Sequence, residues 1–197
     1  MASLLPKFAC VVLFAAATAA AQEPERSQLP IKVEARSSDF DYQKGVLEFD
    51  GITISQGEIR ITAERAVASG LDFEDSRWEF NGAVRISMPE AALASDTASV
   101  RFARGEIQSA TVTGGPATFE QRRDDELAQG RANRIDYDLG RGAVELAGDA
   151  WLSDGRTEIT GATLVYSTIS QRVVSRQQVV ITINPNEPAP ESPDPTP

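Results

Sequence analysis

The chain has 197 residues, no histidine and a single cysteine. Without histidine, the commonest general base, the usual nucleophile–base pairings and the commonest metal ligand are all unavailable. The one thiol, Cys10, lies inside an apolar N-terminal run. If that run is removed, the mature chain can form no disulfide, and its core must hold the fold alone. Phosphate-cradling loops are missing too. "SGL" and "GRG" lack the glycine run, the lysine and the following helix. Basic residues are scarce: 19 Lys and Arg stand against 29 Asp and Glu, for a net charge of −10. Losing Lys7 with the N-terminal run takes the balance to −11. No basic stripe is present to neutralise phosphates, so nucleic acid is not an expected partner. Adsorption to an anionic membrane surface is disfavoured for the same reason.

The N-terminus, "MASLLPKFACVVLFAAATAAAQ", has one early lysine, an apolar run from Phe8 and a small-residue end at Ala19–Ala21. That is the layout of a signal peptide, and residues 1–21 are expected to be cleaved. The uninterrupted run is 14 residues, short of the roughly 20 that span a bilayer. Residues 22–29 read as a polar lead-in. The last 14 residues, 184–197, contain six prolines and no basic residue. Such a segment builds neither a ladder nor a core and is expected to be disordered. The folded domain is expected over 30–183.

What is present is repetition. Glycines follow apolar strand ends at Gly51, Gly82, Gly115 and Gly148, with gaps of 31, 33 and 33 residues. Each unit runs a strand into a glycine, continues in a second strand, and ends in a short aromatic-bearing strand such as "VRFARGE" (100–106) or "LVYSTIS" (164–170). The period inside these segments is two. Ile59, Ile61 and Ala63 share one face, Val84, Ile86 and Met88 another, and Ile135, Tyr137 and Leu139 a third. Even Ala91–Val100, the best helical candidate, fits the repeat better as a strand. The expected class is all-β: short antiparallel strands, each with one apolar face, stacked as a solenoid-like sheet pair or jelly roll. Mid-strand glycines would permit the bulges over which a sheet folds on itself. Phe49 and Ile52 flank Gly51 out of step, as a bulge would place them.

Several residue sets bear on catalysis or ligand binding. Asp136 with Asp138, or Asp124, Asp125 and Glu126, could supply the paired carboxylates of a glycosidase. Strand phase puts the first pair on a solvated face and the second group in a loop. Asp39, Asp41 and Asp138 lack calcium-loop spacing. Trp78 and Trp151 suit core packing better than sugar stacking. No metal, cofactor or catalytic residue is expected.

The stretch "LPIKVEARSSDFDYQKGVLEFDGITISQGEIRITAERAV" (29–67) resembles the opening of the OstA-like lipopolysaccharide-transport family. Within that family it is most similar to the soluble periplasmic bridge members. "GGPATFEQ" (114–121) and "GRANRIDYDLGRGAVELAGDAWL" (130–152) match as well, so the resemblance covers about 30–183. The proline-rich tail departs from the family pattern. The resemblance implies an open-ended, twisted β-jelly roll with an apolar groove and no enzymatic activity. It implies a periplasmic carrier that shelters lipid A acyl chains between the inner and outer membranes. Implied partners are lipopolysaccharide, the periplasmic domain of the inner-membrane export complex, that of the outer-membrane translocon, and further copies stacked head to tail. Carried over by position, Ile31 and Val33 belong to the groove entrance. Phe49, Ile59, Ile61, Phe80, Phe119, Ile135, Tyr137, Leu146 and Ile159 belong to the interior, where each could equally be plain core. The edge strands would carry Ile31, Val33, Val179, Ile181 and Ile183. The alternatives are an inner-membrane-anchored OstA-like partner of the same system, separated by whether 1–21 is cleaved, and a secreted carbohydrate-binding β-solenoid.

Overall fold

A computed structural model describes residues 29–41, 43–70, 73–123 and 126–184. The expected signal peptide (1–21), most of the lead-in and nearly all of the tail lie outside the described residues. Twelve β-strands form one antiparallel sheet, and no helix occurs among the described residues. In chain order they are β1 (Lys32–Glu34), β2 (Ser37–Asp41), β3 (Val46–Gln56), β4 (Ile59–Ala68), β5 (Asp75–Ser87) and β6 (Ala91–Ala103). There follow β7 (Glu106–Arg123), β8 (Glu126–Asp138), β9 (Ala143–Ser153), β10 (Thr157–Ser167), β11 (Arg172–Val174) and β12 (Val179–Ile183). The eight long strands β3–β10 pair in sequence order as a meander. The repeat of about 32 residues is therefore one hairpin: β3–β4, β5–β6, β7–β8, β9–β10. Ala91–Val100 lies in β6, a strand as expected.

The strands are longer than the sequence reading made them. A glycine in mid-strand does not end an antiparallel ladder; it only shifts its register. The segments before and after each glycine are thus halves of one strand. Register breaks recur at Thr62/Arg65, Asn81/Val84, Ala94/Thr97, Thr113/Ala117, Arg131/Arg134 and Gly161/Thr163. Lined up across the meander, they form a seam through Gly51, Gly82, Gly115 and Gly148. Gly82 has φ +81° and Gly148 φ +76°, values costly for residues with a Cβ. A Cβ on Gly148 would lie 2.9 Å from Asn133 Nδ2, and one on Gly82 would strike the Glu64 carboxylate. Phe49 and Ile52 are both buried, so the alternation does slip by one residue at Gly51.

The seam divides every long strand into two halves and the sheet into two layers. The first layer holds 46–50, 65–68, 75–81, 97–113, 134–147 and 163–167, with β2 and β11 at its edges. The second holds 52–63, 84–94, 117–123, 126–132 and 150–161, with β1 and β12 at its edges. One face of each layer is apolar. No other element exists among the described residues to cover it, so the layers cover each other. Phe119 of the second layer meets two rings of the first, Tyr137 at 5.9 Å and Tyr166 at 6.1 Å between centroids. Trp78, fully buried, stacks on Phe49 at 5.5 Å and Phe73 at 5.2 Å within one continuous core.

The ends are not finished in the same way as the middle. Each end needs two short strands because the terminal long strand is bent over two layers. β2 and β1 pair with the two halves of β3, and β11 and β12 with the two halves of β10. The C-terminal edge is accordingly two strands, with Val179, Ile181 and Ile183 in β12 alone.

Candidate functional site

Each long strand runs from a tip in the first layer, across the seam, to a tip in the second. Because the seam closes one side, the tips face one another along the other side as a mouth. At its centre is a cleft of about 460 Å³ between the two rows of tips. Ile59, Met88, Ile107, Tyr137 and Leu139 give it apolar walls, while Gln56, Glu90, Arg104 and Glu106 stand in its polar rim. Burial is the main reason the Tyr137 phenol holds its proton above the ordinary value; the Thr168 hydrogen bond opposes this and the Glu90 carboxylate adds to it.

Further along, the mouth is tied shut. Tyr166 Oη donates to Gln121 Oε1 at 2.9 Å, and Gln121 Nε2 donates to the Thr168 carbonyl at 3.4 Å. Thr168 Oγ1 donates to the Gly142 carbonyl at 3.1 Å, and Gln171 Nε2 donates to Glu126. The Tyr166–Gln121, Gln121–Thr168 and Gln171–Glu126 bonds join second-layer residues to first-layer tips, the Thr168–Gly142 bond ties two first-layer tips together, and Gln121 and Thr168 are buried. Burial also raises the Tyr166 phenol, with Glu126 contributing in the same direction.

The residues expected inside fall into two sets. Phe49, Ile61, Phe80, Phe119, Ile135, Tyr137 and Leu146 are buried in the core between the layers. Ile59 and Ile159 are half-buried against it. Of the whole set only Ile59 and Tyr137 border the mouth cleft. Ile31 precedes β1 and Val33 lies in it, both packed on the core margin. At the opposite end Val179 is half-buried, whereas Ile181 is 57% and Ile183 69% exposed. Ile107 was not singled out by the sequence; it follows a tight turn at Arg104–Gly105, where the alternation has just restarted. Met88 and Leu139 carry the inward phase into turns, a signal that alternation did contain.

The carboxylates weighed for catalysis have structural partners. Burial alone would raise the Asp136 carboxyl, but hydrogen bonds from Arg134 and Thr111 and the Arg134 charge outweigh it and hold it low. Those bonds are 2.7 and 2.6 Å. Asp138 Oδ1 accepts from the Arg141 amide at 3.0 Å and ties the β8–β9 turn. Asp124 and Asp125 lie outside the described residues. Trp78 is core, but Trp151 is half-buried on the outer face, donating from Nε1 to Glu158 at 3.1 Å.

A family model described as "LptA/(LptD N-terminal domain) LPS transport protein" matches residues 68–172, more than half of the chain. The chain belongs to this family. It is a lipopolysaccharide-transport protein of a non-enzymatic family. "Lipopolysaccharide export system protein LptA" of Haemophilus influenzae is 25% identical over 168 residues, 84% of this chain and 80% of that one. The Escherichia coli K12 protein of the same name is 25% identical over 146 residues, 73% of this chain and 63% of that one. The crystal structure of LptH from Pseudomonas aeruginosa, "the LptA homologous periplasmic component of the conserved lipopolysaccharide transport device", superposes with a TM-score of 0.53 at 19% identity. That match covers 82% of this chain and 100% of LptH. The all-β jelly-roll architecture expected from the sequence is thus the fold observed.

Proposed function

We propose that this chain is a periplasmic lipopolysaccharide carrier that takes acyl chains in at the mouth between its two layers. The cleft carries this reading, because beneath its polar rim the walls of Ile59, Met88, Ile107, Tyr137 and Leu139 lead to a continuous apolar core. Moving an acyl chain of about a dozen methylenes into water costs roughly 10 kcal/mol, at ~0.8 per methylene. A lipid with several chains therefore needs cover across an aqueous compartment. Aliphatic walls shelter it without fixing a register, so the lipid can be passed on. The core between the layers is packed. Deeper entry, toward Phe119, Ile135 and Leu146, requires the layers to part, and the tied stretch of mouth at Gln121 and Thr168 resists this more than the open centre does.

The chain works head to tail. β3 and β10 are separated by an odd number of antiparallel steps, so they run in opposite directions. An edge formed by β11 and β12 can therefore meet the β1 and β2 edge of the next copy antiparallel on both layers at once. Unpaired edges of this kind invite strand addition, and a heterologous contact repeats into an open filament. Exposed Ile181 and Ile183 at one end and the Ile31 and Val33 margin at the other would extend the apolar interior across each joint. The same edges suit the periplasmic domains of the inner-membrane export complex and of the outer-membrane translocon. Residues 1–21 direct export and are cleaved off in its course.

The test is to purify the exported protein from lipopolysaccharide-producing cells, sequence its N-terminus and identify bound lipid by mass spectrometry. The expected result is a start near Gln22 with lipid A-bearing species bound. An uncleaved N-terminus, or bound glycerophospholipid alone, would overturn the reading.

A further inference from the structure

On the outer face of the second layer lies a trough of about 500 Å³, back to back with the mouth. Its floor is small: Ala92, Ala94 and Thr118. Cross-strand pairing sets one row as Arg85, Ala94, Thr118, Arg131 and Trp151. The two arginines are three strand spacings apart, about 14 Å, so their long side chains flank the same floor from opposite sides. Neither forms an ion pair among the described residues, although the chain carries 29 acidic groups. The Arg131 guanidinium instead lies over the Trp151 ring, 4.6 Å from its centroid. Glu120 itself lines the trough, and it and Glu158 are both engaged. Glu120 is paired with Arg122 at 3.4 Å, and Glu158 accepts the Trp151 N–H.

We propose that this trough binds an anionic saccharide, the phosphorylated or carboxylated headgroup of the lipid whose acyl chains occupy the mouth. The ligand's identity rests on the carrier reading above; the site's chemistry does not. Guanidinium groups bind phosphate and carboxylate oxygens two at a time. An indole beside them offers a flat face to a sugar ring. The small floor leaves room for the saccharide to lie along the sheet. Position completes the match. Met88, Pro89, Glu90 and Ala91 border the mouth, while Ser87 and Ala92 border the trough. One hairpin, β5–β6, separates the two, closed by the Met88 amide donating to the Ala91 carbonyl at 2.8 Å. A headgroup leaving the mouth over this turn arrives at Arg85. An acidic chain thus keeps two arginines, without ion pairs among the described residues, at an outer depression that adjoins the mouth.

The experiment uses the full mature protein and a chemically deacylated, phosphorylated lipopolysaccharide oligosaccharide, read by the indole N–H resonances of the two tryptophans. Trp151 should shift saturably, and fully buried Trp78 should not. Arg85→Gln with Arg131→Gln should weaken binding at least about tenfold, and phosphatase treatment of the saccharide should act likewise. Thr118→Glu, which keeps both arginines, should abolish the response by placing a carboxylate on the floor. An unmoved Trp151, undiminished binding by the double variant, or an equal response to inorganic phosphate alone would each overturn the proposal. Lipid co-purifying with the double variant reports on the mouth separately. In the unsubstituted protein, bound lipid with no Trp151 response sinks the trough and spares the carrier; a Trp151 response with no bound lipid does the reverse.

Discussion

Replacing Phe119 by alanine removes the ring that joins the two layers. Phe119 is 2% exposed and touches Tyr137 and Tyr166 across the interior. Loss of a buried phenylalanine typically costs about 3–5 kcal/mol, as transfer free energy plus the cavity left behind. Relaxation should be small here. Its two aromatic neighbours are held in place, Tyr166 by the Gln121 bond and both by their own strands. We therefore expect about 4 kcal/mol. With a urea dependence of about 2 kcal/mol per molar, the unfolding midpoint should fall by about 2 M. The assay is equilibrium urea unfolding followed by far-ultraviolet circular dichroism, with both slopes compared. A loss below about 1 kcal/mol at unchanged slope would mean that Phe119 is not packed between layers. The closed interior, and the need for the layers to part around lipid, would then be wrong.

Two further outcomes follow from the seam and from the mouth. Gly82→Val forces a β-branched residue to φ +81° against Glu64, and should cost about 2 kcal/mol or more in the same unfolding assay; a neutral result would remove the steric reason for the glycine period. Tyr137 and Tyr166 keep their protons above the ordinary phenol value, so the unfolded chain releases protons first as pH rises. Stability should be unaffected well below about pH 10 and then fall by up to about 1.4 kcal/mol per pH unit for each tyrosine. Urea midpoints measured with Tyr137→Phe and Tyr166→Phe should flatten that fall, and an unchanged alkaline slope would refute their burial.

Most of the architecture was legible because it rests on local rules that repeat. Glycine suits the positive φ adopted where β3, β5 and β9 cross the seam, and Gly51, Gly82 and Gly148 kept the period. Two-residue alternation named the inward side of β4, β5 and β8, down to Ile135 and Tyr137. Strand length was not legible, since a bulge and a strand end present the same glycine to a reader of sequence. Every second seam crossing was hidden as well. Glu64, Asp96 and Asn133 carry no positive-φ requirement, and their place is set by the neighbouring strand. The mouth was only half visible for a related reason. Ile59 and Tyr137 could be assigned to the interior, but which inward residues line a cleft depends on how two distant rows of turns approach. The outer trough left no one-dimensional signal, as Arg85, Thr118, Arg131 and Trp151 come from four strands and meet only through register.

The central claim is that acyl chains enter between the layers, and two adjacent residues of β8 test it most directly. Tyr137 faces inward and borders the cleft, whereas Asp138 faces outward and ties a turn. A photoreactive phenylalanine analogue at each position, irradiated in lipopolysaccharide-exporting cells, reports which face the lipid touches. A lipopolysaccharide adduct at position 137 and none at 138 is the expected result. Equal adducts at both, or an adduct at 138 alone, would contradict a carrier that holds its lipid inside.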